Sequence, residues 1–198
     1  MSVGGYRLVM KIKIFAFVAG ALMLVSCSKA VDGQAVALGE RPSETGSAGS
    51  GAGSRNDPFP LGSTGAVGPD WKVTVVSIDE DSWDVIRAEN QFNDPPKAGS
   101  KFVIAKIRVA YVGSSSGEAW IDLHDEYLGS TNVTYGLSMD DWCGVIPDDL
   151  SDKGSQFPNS TVEGNICWSV PESAIKGGKI ILAAGYSDDD RVFFDGSN

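Results

Sequence analysis

The sequence predicts an all-β protein, an antiparallel β-sandwich, and three observations carry that prediction. Apolar residues recur with period two along several short runs, the spacing that lays one face of a strand against a core. Turn signals rich in Gly, Pro, Asn and Ser separate those runs. No long stretch carries helical period, so short strands joined by turns and stacked as two sheets are what the pattern allows.

The elements follow in chain order. Lys11 and Lys13 flank the start of the apolar stretch Ile14 to Leu22, and Leu24-Val25-Ser26-Cys27 comes directly after it. A basic segment, a short apolar segment and small residues make a secretory signal, shorter than the roughly 20 apolar residues a membrane span needs. The closing cysteine makes it a bacterial lipoprotein signal: residues 1–26 are the signal peptide, and Cys27 becomes the lipid anchor through its nucleophilic thiolate. Met10-Lys11-Ile12-Lys13 opens a signal of more usual proportions, so Met10 is an alternative start. Residues 27–57, with Ser47-Ala48-Gly49-Ser50-Gly51-Ala52-Gly53-Ser54 at their centre, read as a flexible Gly/Ser-rich tether. A coil of that composition has an r.m.s. span of about 30 Å.

Residues 58–198 are one domain's worth of chain. Trp71, Val73 and Val75 alternate with polar neighbours; Val103, Ala105, Ile107, Val109 and Tyr111 do the same, leaving Lys106 and Arg108 on the outer face. A third strand is expected from Ala119, with Ala119, Ile121, Leu123 and Tyr127 inward and Trp120, Asp122, His124 and Glu126 outward. In a fourth, Val162, Ile166, Trp168 and Val170 point inward. Lys179 to Tyr186 and Arg191 to Phe194 supply two more. Turns are expected at Asp94-Pro95-Pro96, Gly113 to Gly117, Gly129 to Asn132 and Lys176-Gly177-Gly178, with room for one helical turn near Pro147 to Ser151 or Pro171 to Ile175.

Three cysteines are present, and the lipoprotein signal takes Cys27. In an exported protein the remaining pair, Cys143 and Cys167, is expected to form a disulfide. Cys167 shares its strand face with Thr161, Glu163 and Asn165, opposite Trp168, so the bridge should lie outside the core and staple the loop from Asp140 to Asp152 over a sheet.

Loss of the signal peptide would take Arg7, Lys11 and Lys13 and no acid, moving the net charge from −10 to −13, with 13 basic against 26 acidic residues. Without a basic cluster to displace counterions, no nucleic-acid partner is expected.

Candidate chemistry is sparse. Gly113-Ser114-Ser115-Ser116-Gly117 matches G-x-S-x-G, but the nucleophile elbow needs a strand before it and a helix after it, and here a strand is expected to follow. No catalytic set is assigned. Asp122, His124 and Glu126 place three potential zinc ligands along one strand face, a row that lacks a fourth ligand and that a solvated polar face explains better. Acids cluster at Asp79-Glu80-Asp81, Asp140-Asp141, Asp148-Asp149 and Asp188-Asp189-Asp190, where loops could pool oxygens for calcium, although none has EF-hand spacing. Phe92, inside the polar run Glu89 to Pro96, together with Trp120 and Trp142, are the candidate binding anchors, because exposed aromatics at polar rims commonly serve so.

Ala88-Glu89-Asn90-Gln91-Phe92-Asn93-Asp94-Pro95-Pro96, the strand Lys101 to Val112, Cys143-Gly144-Val145-Ile146-Pro147 and Val162 to Pro171 resemble the DUF4352 family of lipid-anchored or secreted actinobacterial proteins, over about residues 55–195. The resemblance implies an immunoglobulin-like sandwich with no established activity, and no functional residues to carry over. The combined expectation is a non-catalytic, cofactor-free module on the extracytoplasmic face of the cell membrane. The membrane would be held through Cys27, and the module would bind an envelope protein or present a surface. The alternative is a calcium- or zinc-binding envelope protein.

Overall fold

A computed structural model describes residues 51–136, 138, 141–185 and 190–198. Cys27, the signal peptide and most of the tether lie outside the described residues, as do Asp140, Asp188 and Asp189. The architecture is a sandwich of two antiparallel four-stranded sheets, all-β apart from short helical turns, with one disulfide.

The first sheet runs in the order β1 (Thr64–Val67), β2 (Trp71–Asp79), β3 (Ser100–Tyr111), β6 (Thr161–Pro171). The second runs β5 (Thr134–Tyr135), β4 (Leu123–Leu128), β7 (Lys179–Ala184), β8 (Val192–Asp195). Alternation sets the facing residues as expected: Val73, Val75, Val103, Ala105, Ile107, Val109, Trp168 and Val170 are all buried in one core with Tyr127, Ile180, Leu182 and Phe194 from the opposite sheet. A register shift between Val75 and Ser77 inserts one extra residue into β2, which is why even-numbered Ile78 also reaches the core. Tyr127 and Trp168 meet across the sandwich with ring centroids 5.6 Å apart.

The expected third strand is corrected. Ala119–Asp122 form a single helical turn, α2, and the strand begins only at Leu123. The Asp122 carboxylate accepts from the Glu118 backbone N–H at 3.1 Å, and Gln156 Oε1 accepts from the Ala119 N–H at 2.9 Å. Such side-chain bonds satisfy backbone donors that a strand would have to pair elsewhere. Ile121, expected inward, is consequently 57% exposed. The same turn means that a helical turn, not a strand, follows Gly113–Gly117, where Ser115 Oγ lies 3.4 Å from the Tyr111 hydroxyl.

Two further helical turns, Leu150–Lys153 (3₁₀) and Glu172–Ile175 (α-helical), fall where one turn was expected. A two-turn helix over Trp83–Glu89, α1, has no counterpart in the sequence reading. It covers the outer face of the first sheet, where Ile86, Phe102, Ile104, Cys143 and Ile146 are buried together as a second small core, with Trp83 and Cys167 against it. Cys167 therefore lies outside the main core, as its parity requires, yet packs against another one. Further along the same face, Lys106 and Arg108 flank Glu163 at 3.1 and 2.6 Å. Arg108 first and Lys106 second hold the Glu163 carboxyl below its ordinary range.

Candidate functional site: an aromatic groove at the disulfide

The Cys143–Cys167 bridge, with Cα atoms 6.1 Å apart, pins the segment 141–149 onto β6. Two asparagines complete the attachment. Asn93 donates from Nδ2 to the carbonyls of Ile86 (2.9 Å) and Val145 (2.8 Å), while its Oδ1 accepts from the Val145 N–H at 2.9 Å. One side chain thus pairs with Val145 as a neighbouring strand would. Asn165 of β6 donates from Nδ2 to the Pro147 carbonyl at 2.7 Å, and its backbone N–H donates to the Asp148 carbonyl at 2.9 Å. Gly144, at φ 81°, packs so closely on Asn93 that a Cβ there would collide with Oδ1.

This pinned segment carries Trp142 on its outside, 66% exposed, as a ridge between two hollows. The larger hollow, about 390 Å³, lies toward the 90–97 segment and is lined by Phe92, Asn93, Pro95, Pro96 and Ser169. Phe92 is 83% exposed at its rim. The smaller, about 270 Å³, is lined by Trp120, Asp125, Gly136, Asp149 and Asn165. The hollows share Trp142, Cys143 and Gly144, so they form one groove interrupted by the Trp142 ring. The three aromatic candidates therefore meet in one place. Trp120 reaches it because α2 is a turn: its exposed ring belongs to the same four residues whose strand expectation failed.

Asp125 was not singled out from sequence. It follows His124 on β4 and faces inward between Leu123 and Tyr127, a position that alternation assigns to an apolar residue. It lies past the end of the β4–β5 pairing at Tyr127 and Leu128 and lines the smaller hollow. Burial pushes its carboxyl up to about 6, and the Asp149 and Glu126 carboxylates add to the rise. The Trp168 indole N–H, acting on the carboxylate as a donor, opposes this rise. Trp168 is fully buried, and its Nε1 has no other hydrogen-bond partner among the described residues. A Cβ on Gly136 would lie 3.1 Å from that Nε1, so the nitrogen sits directly beneath the glycine that lines the smaller hollow. Asp149 uses one oxygen to cap the 3₁₀ turn, accepting from the Ser151 N–H at 2.8 Å.

The candidate metal row does not lie along one strand face. Asp122 belongs to α2, whereas Glu126 is buried on the outer face of β4 and pairs with Arg191 at 3.1 Å. Among the described residues, no group of three or more His, Cys, Asp or Glu is placed to hold a metal ion. Asp190 is exposed. Among the described residues no helix is long and apolar enough to cross a membrane.

No family model matches the chain, and no curated protein matches it. Solved structures similar to it include a conserved hypothetical protein from Bacillus anthracis (10% identity, 69% of this chain and 95% of that one, TM-score 0.46). An uncharacterized β-sandwich protein from Clostridium difficile is similar at 10% identity over 70% of this chain and 94% of that one, TM-score 0.42. A Bacillus subtilis protein named as a candidate lipoprotein is similar at 15% identity, 67% of this chain and 38% of that one, TM-score 0.40.

Proposed function

We propose that this chain is a lipid-anchored, non-catalytic binding module, held by Cys27 at the extracytoplasmic face of the cell membrane, which captures an envelope component in the groove of Phe92, Trp142 and Trp120. On the motifs quoted above it belongs with the lipid-anchored and secreted DUF4352 proteins of actinobacteria. The observation that carries the reading is convergence: three exposed aromatics from segments far apart in sequence share one groove, braced by a disulfide and two asparagine clamps. Exposed apolar surface gathered in a concave, rigidly backed place is the ordinary form of a recognition site. The lipobox and the tether support the location, since the Gly/Ser-rich chain between Cys27 and Gly51 would let the groove reach beyond the head groups.

The test is in-cell crosslinking followed by mass spectrometry, comparing the native chain with Cys27→Ser and Trp142→Ala. The expected result is an enriched envelope component that both substitutions deplete. An enrichment pattern indifferent to Trp142→Ala would remove the groove from the function, and membrane attachment surviving Cys27→Ser would remove the anchor.

A further inference from the structure

Resting on the reading of the groove as a binding surface, we propose that its smaller hollow takes the cationic side chain of an arginine or lysine from a basic partner protein, held by the carboxylates of Asp125 and Asp149 against the rings of Trp120 and Trp142. These four residues all line the hollow, and no Lys, Arg or His lines it with them. They arrive from β4, from α2 and from the segment that the disulfide pins. The two carboxylates lie close enough for the charge of Asp149 to act on Asp125, and the only other charge acting there is that of Glu126, again negative. Both keep acceptor capacity. Asp125 meets the Trp168 indole and its own backbone N–H, and Asp149 meets the Ser151 N–H, whereas a carboxylate offers about four acceptor positions. Two like charges in one recess without a cation repel each other, and a positive group entering between them relieves that repulsion.

The composition of the hollow selects among cations. A calcium ion wants roughly six to eight oxygens, and among the described residues no group of three or more His, Cys, Asp or Glu is placed to hold a metal. An organic cation needs fewer ligands and gains from aromatic faces, tryptophan most of all. Trp120 and Trp142 are 50% and 66% exposed, so both rings are free to receive it. A guanidinium can stack on an indole while its edge donates to a carboxylate, and an ammonium meets both as a point charge. Phosphate or carboxylate ligands would be repelled, and an apolar ligand would leave the two negative charges uncompensated. At about 270 Å³ the hollow has room for one such side chain and no larger element of a partner. The larger hollow carries one acid and one base, Asp94 and Lys97, so charge complementarity singles out the smaller one. The net charge of −10 draws basic partners to the molecule as a whole, and the hollow fixes where one of them seats its side chain.

The test titrates the full chain, in an uncharged detergent and about 0.15 M salt to screen general attraction, with hexaarginine and hexalysine, read by calorimetry. At least one peptide should bind saturably, with Kd raised about tenfold or more by each of Asp125→Asn, Asp149→Asn, Trp120→Ala and Trp142→Ala. Asp70→Asn and Phe157→Ala alter an exposed acid and an exposed aromatic that line neither hollow, and both should leave Kd unchanged. The two Asn substitutions keep the side-chain shape and Trp120 and Trp142 are exposed, so loss of binding reads the site and not the fold. Failure of both peptides to bind overturns the proposal. So does a Kd that Asp70→Asn raises as much as Asp125→Asn, which would mean that overall acidity suffices, and so does binding indifferent to Trp120→Ala. If the peptides fail but the crosslinked component is still lost in Trp142→Ala, the groove stands as a binding surface and only the cationic partner falls.

Discussion

Asp125 is ionised at neutral pH in surroundings that favour its acid form. Its folded-state value near 6 lies above the ordinary 3.8, so between about pH 4 and 6 the folded protein keeps a proton that the unfolded chain has released. Stability therefore falls as pH rises through that window, and the full penalty is present above it. Asp125→Asn, which removes the charge and keeps the shape, should raise the stability measured by urea unfolding at pH 7.5 by up to about 3 kcal/mol, with the gain gone by pH 3.5. A gain of equal size at both pH values would show that the side chain acts by packing alone. Tyr127 is the opposite case. Its hydroxyl sits 2.8 Å from the Ile175 carbonyl and 2.9 Å from the Gly196 carbonyl. Tyr127→Phe leaves the ring packed on Trp168 but strands the buried Gly196 carbonyl, while that of Ile175 keeps the Gly178 N–H, at a cost of about 1–3 kcal/mol. Neither role is written in the local sequence: Asp125 stands in an ordinary run of alternating residues, and the hollow it lines is built from segments distant in the chain.

At the scale of elements, the loop 141–149 is held by the covalent disulfide together with the Asn93 and Asn165 clamps and further polar contacts. Cys143→Ser with Cys167→Ser should lower stability by about 3–4 kcal/mol on the chain-entropy estimate, while membrane attachment persists. Tryptophan quenching by acrylamide should increase as well, because Trp142 loses its footing. Unchanged quenching would mean that Asn93 and Asn165 suffice to shape the groove. The strands were legible because each inward residue was marked by alternation against polar neighbours, as at Val103 to Tyr111. The Ala119–Asp122 segment alternates equally well and still became a turn, because Asp122 and Gln156 satisfy its backbone N–H groups. Period two reports a possible facing, not the hydrogen bonds that decide it. Helix α1 was passed over for a related reason: its seven residues bury only Ile86, too little apolar surface to display a period. A usable signal did exist in β3, where even-numbered Phe102 and Ile104 precede Lys106 and Arg108, marking the stretch of outer face that something must cover.

At the scale of the whole molecule, the sandwich follows a Gly/Ser-rich segment and a proposed anchor in the sequence. If its acidic loops held calcium, saturation at 100 times Kd would add about 2.7 kcal/mol. Millimolar calcium and EDTA are expected to leave the melting temperature unchanged, because Asp81 is already paired with Lys101, Asp148 with Lys153, and Asp149 caps its helical turn. A melting point that rises with calcium would restore the ion-binding alternative. By itself the sequence determined the two-sheet sandwich and the pairing of Cys143 with Cys167, because alternation and cysteine number are properties of the chain that survive any arrangement of its loops. Tertiary structure alone decided that Phe92, Trp120 and Trp142 share one groove, that Asp125 lines it, and that Trp168 Nε1 is buried beneath Gly136. The reason is that a strand pattern specifies which way a side chain points from its own sheet. What covers that face, and what is left open beside it, depends on contacts between segments distant in the chain.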